Sequence, residues 1–200
     1  MMNTPAAPGD GRRARSERSR NAIATALLEL IVAGTPRPSA RQVAERAGVS
    51  PRLVFHHFKD MEALYGRLMA LQAERLKPLL EMDIPAGAPF EERLAAFVDH
   101  RVTVLEFMSP VRRVIIGAEI SSAALAAELD RLREFKRRQT AAVFAPEISD
   151  LSPEAGAQVT AALQATTAWS TWHSLRHHQK LTVEAAEAVM TRIIRKLVGR

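Results

Sequence analysis

The sequence predicts an all-α protein: a three-helix unit at the N-terminal end, then a larger helical domain, with about nine helices in all. Three observations carry that reading. Apolar residues recur at spacings of three and four through most of the chain, which lines them along one face of a helix. No segment alternates apolar and polar residues as a half-buried strand does. Boundaries carry residue types that start or stop helices: Ser, Asp or Thr before the first turn, and Gly or Pro after the last.

The bulk composition bounds the function. Of 200 residues, 47% are apolar and 25% charged, enough to bury a core. There is no cysteine, which excludes disulfides, zinc–cysteine sites and thiol chemistry together. Met1-Met2-Asn3-Thr4-Pro5 leads into no apolar run, and no stretch approaches ~18 uninterrupted apolar residues, so a cytoplasmic protein without a secretory signal or membrane span is expected. The net charge of +6 is unevenly spread: residues 1–60 hold 10 basic and 5 acidic side chains, against 18 and 17 in residues 61–200. Positive charge gathered on under a third of the chain is the footprint of a nucleic-acid binder, although a solvated basic tail gives the same count.

Each element can be justified in turn. Residues 1–17 are rich in Pro, Gly, Ala and Arg without apolar periodicity and read as a disordered basic arm. From about Arg18 the pattern becomes helical, with Ile23, Leu27, Leu30 and Ile31 on one stripe until Gly34, Pro36 and Pro38 end it. Ser39-Ala-Arg-Gln42 is a capping box that opens the second helix, whose inner face is Val43, Ala44 and Ala47. Gly48 suits the left-handed conformation that ends it. Ser50-Pro51 starts the third helix, with Ser as cap and Pro at the first helical position. Beyond Lys59-Asp60, helices are expected over 60–80, 90–108, 110–121, 124–144, 153–178 and 183–198. Their starts are Asp60, Ser109-Pro110, Ser152-Pro153 and Thr182, and their breaks fall at Pro85, Gly87 and Pro89, at Pro146 and around Lys180. The expected division is therefore an arm over 1–17, a small domain over 18–60 and a larger one over 61–200.

Two short helices joined by Gly48-Val49-Ser50 have the spacing of a helix-turn-helix. On a wheel with Arg52 at 0°, Lys59, His56, Phe55 and Leu53 fall at about −20°, 40°, −60° and 100°, and Val54 and Phe58 at about 200° and 240°. Val54 and Phe58 then anchor one face while Arg52, Leu53, Phe55, His56 and Lys59 project from the other. His57, at about 140°, belongs to the flank as half-buried packing. A surface helix seldom exposes Phe and Leu together, whereas a helix seated in a groove touches thymine methyls and sugar edges with them.

The segment from Ser39 to Tyr65, SARQVAERAGVSPRLVFHHFKDMEALY, resembles the DNA-binding signature of the TetR family of bacterial transcriptional regulators, with the likeness running from near Arg18 to Tyr65. The remainder is similar in helix number and length to that family's ligand-binding domain. The resemblance implies that Arg41 reaches a base or phosphate, Arg52 reads a base, His56 contacts the DNA backbone and Lys59 holds a phosphate. Leu53 stands where the family usually has Thr, and Phe55 where it usually has a phosphate-binding Tyr. Both departures remove phosphate hydrogen bonds, so operator contacts are expected to be fewer or taken over by Arg52 and the arm. Arg12, Arg13, Arg15, Arg18 and Arg20 of that arm would enter a minor groove or merely solubilise the chain.

In the larger domain the candidate ligand-binding residues are Phe97, Arg101, Met108, Trp169 and Trp172. Phe97, Arg101, Val104 and Met108 share one helical stripe, and a buried Arg101 would need a partner, which makes it a candidate anion-binding group. Trp169 and Trp172 line a cavity or pack a core. Arg112 and Arg113 carry the same ambiguity as Arg101. His173 and His177, at i and i+4 beside His178, have a spacing that suits a metal, but no carboxylate lies nearby in sequence. A surface or interface cluster is the reading there, and no metal or cofactor is expected. No nucleophile elbow, P-loop, zinc-protease or dinucleotide motif occurs, and nothing in the spacing demands an acid–base pair of His100 and Glu119.

The resulting expectation is a non-enzymatic, homodimeric regulator, most often a repressor in this family. It would bind double-stranded operator DNA through the small domain and a small-molecule effector through the larger one. Dimerisation would use helices near 153–178 and 183–198, whose Val159, Leu163, Trp169, Trp172, Leu175, Val189, Ile193, Ile194 and Leu197 a monomer would leave partly exposed. The alternatives are a sequence-nonspecific DNA-compacting protein and an enzyme using the helical cavity.

Overall fold

A computed structural model of the chain describes residues 10–85, 87–115 and 123–199. All regular structure among these residues is helical, as expected. The chain forms two compact units, one holding the chain up to Pro78 together with Pro110–Val114, the other holding Leu79–Ser109 and the chain from Ile115 on.

In the first unit α1 (Asp10–Val32), α2 (Ala40–Ala47), α3 (Pro51–His57) and α4 (Met61–Leu79) follow in order, the last residue of α4 falling to the second unit. The apolar stripe of α1 (Ile23, Ala24, Leu27, Ile31) is buried, as are Val43 and Ala44 of α2, Val54 and Phe58 around α3, and Leu64, Leu68 and Leu71 of α4. Residues 61–78 thus cluster with the N-terminal unit, beyond the division expected at 60. Asp60 caps α4, its Oδ1 accepting the Ala63 N–H at 2.8 Å.

The expected disordered arm needs correction over its described part. Asp10–Glu17 are the first turns of α1, with residues 1–9 outside the described residues. Arg, Ala and Glu are good helix formers, and a helix already nucleated on packed turns propagates without an apolar stripe of its own. Glu17 is also tied to α4, 3.3 Å from Arg67 Nη2.

The second unit holds most of α5 (Phe90–Ile115), α6 (Ala123–Val143), the single turn α7 (Ala145–Ile148), α8 (Pro153–Thr166), α9 (Trp169–His173) and α10 (Val183–Leu197). Its core joins Leu94, Phe97, Val98, Val102 and Leu105 to Val143, Phe144, Leu163, Trp172, Met190 and Ile194. Ser152 and Thr182 cap α8 and α10 as expected, through the N–H groups of Ala155 and Ala185.

Two expected boundaries are displaced. Ser109-Pro110 does not start a helix: α5 runs through it to Ile115, and residues 116–121 of the expected helix lie outside the described residues. Proline costs an interior helix ~3 kcal/mol but its fixed φ is helical, and the buried stripe of Val104, Leu105, Val111 and Ile115 on either side outweighs that. Ser109 turns inward instead of capping, its Oγ donating to Leu105 O at 2.7 Å.

The helix expected over 153–178 breaks at Thr167-Ala168. The hydroxyls of Thr166, Thr167 and Thr171 donate to the carbonyls of Ala162, Leu163 and Ala165 at 2.8, 3.0 and 2.6 Å, so side chains take acceptors near the end of α8. The chain resumes as α9 and widens into a π-helical turn, Ser174–His178. That turn ends on Lys180, held at φ 56° with the Leu181 N–H donating to Leu175 O at 3.1 Å.

Candidate nucleic-acid interface

The helix-turn-helix is built by local chemistry. Gln42 N–H donates to Ser39 Oγ at 3.3 Å and Ser39 N–H donates to Gln42 Oε1 at 2.9 Å, closing the capping box. Gly48 takes φ 67° and ψ 32°, a left-handed conformation that costs a side-chain-bearing residue ~1–2 kcal/mol, and the Val49 N–H then donates to Ala44 O at 2.9 Å. Ser50 Oγ accepts the Leu53 N–H at 3.2 Å and Pro51 occupies the first helical position. These contacts aim α3.

The aim is the one the wheel predicts. Val54 is 1% and Phe58 2% exposed, while Phe55 is 53% exposed. Arg41, Arg52, His56 and Lys59 are exposed, and Leu53 and His57 are half-buried. Arg41 lies 3.7 Å from Glu45 one turn on, an open pair that water screens. Among the described residues neither Arg52 nor Lys59 has a side-chain hydrogen bond or ion pair. Burial first, then the charges of His56 and Arg20, hold His57 below the ordinary imidazole value.

Arg20 departs from the expectation that the arm's arginines are available to a groove. Its guanidinium lies 5.2 Å from the centre of the Phe58 ring, inside the small unit. Arg12, Arg13, Arg15 and Arg18 remain exposed on the first turns of α1. Sequence reading had no means of finding Arg20's role, because its ring partner lies far along the chain. The same holds for Arg46, which pairs with Glu29 of α1 at 2.5 Å and ties α2 to it.

The candidate ligand residues fall in two places. Phe97 is fully buried, edge-to-face with Phe144 at 5.0 Å, and the Arg101 guanidinium lies 4.8 Å over its ring. Trp172 is also fully buried, and its Nε1–H donates to Glu106 Oε1 at 2.7 Å, the same oxygen that accepts Arg176 Nε–H at 3.1 Å. Half-buried Trp169 donates to Ser109 Oγ at 3.2 Å, and Met108 beside that serine is half-buried too. Glu106 and Ser109 were the missed partners. The signal was the rule that a buried indole N–H finds an acceptor.

Trp169, His173 and His177 form a ladder of rings, with centroids 4.7 and 4.6 Å apart, and His178 meets His173 at 5.2 Å. Among the described residues no group of three or more His, Cys, Asp and Glu is arranged to hold a metal. Glu119, the notional partner of His100, lies outside the described residues.

Comparison with known proteins agrees with this geometry. The family model "Bacterial regulatory proteins, tetR family" matches residues 22–68, which span α2, the turn, α3 and the packed parts of α1 and α4. Residues 22–68 are thus similar to the DNA-binding region of the TetR family. Two solved structures share this chain's fold. One is a tetR-family transcriptional regulator from Streptomyces coelicolor, at 17% identity and TM-score 0.66 over 90% of this chain and 79% of that one. The other is a transcriptional regulator from Rhodococcus sp. Rha1, at 21% identity and TM-score 0.63 over 90% of this chain and 96% of that one. Among curated proteins none matches the sequence significantly. No helix among the described residues is long and apolar enough to cross a membrane.

Proposed function

We propose that this chain is a TetR-type homodimeric repressor that places α3 in the major groove of a pseudo-palindromic operator and leaves it when a small-molecule effector binds the C-terminal unit. The observation that carries the reading is the split face of α3: Val54 and Phe58 buried, Arg52, Phe55 and His56 exposed, with no intramolecular partner for Arg52 or for Lys59 just beyond among the described residues. Two such helices read two half-sites when they lie about one helical turn, ~34 Å, or a multiple apart. An effector that binds better to a dimer of different spacing shifts the population away from DNA. One covalent path for that shift is α4, which leaves the helix-turn-helix at Met61 and ends at Leu79.

Operator affinity measured across a salt series tests the reading, with log K expected to fall by ~0.9 per phosphate neutralised. Arg52→Ala should cost ~1–3 kcal/mol on the operator and relax the preference at one base position in each half-site. Lys59→Ala should weaken all sequences about equally. Equal affinity for operator and random DNA would identify a nonspecific DNA-compacting protein instead.

A further inference from the structure

Arg101 sits within α5 and is 1% exposed. Its Nη2 donates to Lys136 O at 3.2 Å and Thr140 Oγ1 at 3.4 Å, both on α6. Nε and Nη1, which between them carry three of the five guanidinium N–H groups, are buried without a partner. No carboxylate faces it among the described residues.

Arg93, earlier on the same helix, shows what a structural buried arginine looks like here. It meets Glu147 at 2.5 Å, Ala88 O at 3.0 Å and Val143 O as well. Burial draws the Arg101 guanidinium down to about 10, which still leaves it charged at neutral pH. A buried charge without a counter-charge destabilises a fold, and an apolar side chain of similar volume would serve a core better. The core that includes Phe97, the ring beneath this guanidinium, is apolar: Val98, Val102 and Leu105 of α5 join Val143 and Phe144 there.

We propose that Arg101 anchors an organic carboxylate with an apolar body, the carboxylate accepting from Nε and Nη1 and the body lying among the apolar side chains of the C-terminal unit. This names the chemical class of the effector and so rests on the regulator reading above. The guanidinium stays protonated throughout, and no bond is made or broken. Phe97 stacks on it and limits its orientation, so the unmet N–H groups are held in place before the ligand arrives.

The test uses the full chain in calorimetry and thermal melting. The probes are benzoate and octanoate, with benzamide and octanamide as uncharged counterparts of the same shape. At least one carboxylate should bind about tenfold or more tightly than its amide and raise the melting temperature, as charge-assisted hydrogen bonds to a buried cation require. Arg101→Met should melt at or above the ligand-free wild type and lose that preference, while Arg101→Lys should keep part of it. No preference in the wild type, a preference that survives in Arg101→Met, or an Arg101→Met chain that melts below the wild type would each overturn the proposal. Operator binding is measured on the same samples. Specific DNA binding without a carboxylate preference refutes the ligand class alone, whereas wild-type protein that does not discriminate operator from random DNA refutes the regulator reading, whatever binds at Arg101.

Discussion

Phe55 is the residue where the resemblance implies that a hydroxyl is missing from the surface proposed to face DNA. Its ring is 53% exposed between buried Val54 and the turn to buried Phe58. Phe55→Tyr therefore adds its hydroxyl to solvent and leaves the core untouched. The melting temperature of the free protein should stay unchanged. Operator binding should be equal or tighter by up to about tenfold, with specificity unaltered, since a phosphate contact carries no sequence information. A clear drop in melting temperature would mean that the ring packs inward. His100 makes a different kind of prediction. Burial and the Arg101 charge hold it below its ordinary 6.5, against the pull of Glu81 O, which accepts its Nε2–H at 3.1 Å. The unfolded chain then takes up this proton at a higher pH than the folded one. The contribution to stability is intact above pH 6.5 and is lost as the pH falls from there through the folded value. Melting followed across that window should show the fall, and a shallower one in His100→Gln. Superimposable profiles would exclude His100 as its source.

The helices are held by a few contacts that decide more than their number suggests. Arg93 on α5 and Glu147 on α7 have side chains only 4% and 3% exposed, so the pair is fully desolvated. Together with the carbonyls of Ala88 and Val143 it pins the start of α5 to the end of α6. Glu147→Ala would strand the Arg93 charge, and the loss expected is ~3–5 kcal/mol, read by denaturant unfolding. A loss within the ordinary range of an exposed pair, below ~1 kcal/mol, would show that water reaches the site. Close packing matters at the neighbouring element too: a Cβ on Gly156 of α8 would meet Ile148 Cγ2 of α7 at 3.1 Å. The small residue at that position is what lets the single turn of α7 lie against α8.

For the whole molecule, burial bears on the proposed dimer. Leu163, Trp172, Leu175 and Ile194, expected to be partly exposed in a monomer, are buried within the C-terminal unit itself. What remains for a partner is Ile193, 37% exposed, with half-buried Val159, Trp169, Val189 and Leu197 on α8, α9 and α10. The apolar surface left for a proposed partner is smaller than the sequence suggested, because the core of the C-terminal unit takes up part of each amphipathic face. A dimer that persists without DNA or ligand is still the expected outcome. Sedimentation at micromolar concentration checks it, and a stable monomer there would reject it.

The all-α class was legible from the periodicity of the whole chain, and the helix-turn-helix and the direction in which α3 points from residues 39–59 alone. Capping boxes, left-handed glycines and helical periodicity act over three or four residues, so their signal is local. The start of α1, the passage of α5 through Pro110 and the break after Thr166 were not legible in this way. Each depends on burial or competing hydrogen bonds that only tertiary packing supplies: Glu17 reaching Arg67, a core stripe outweighing one lost N–H, and threonine hydroxyls that compete for carbonyls. The partners of Arg20, Trp169 and Trp172 were hidden for the same reason, since nothing in a sequence says which distant side chain will stand 3 Å from a given donor. Arg101 shows both sides. Its place on an apolar stripe was evident from spacing, whereas its missing counter-charge emerged only once α6 was seen to offer it a carbonyl and a hydroxyl but no carboxylate.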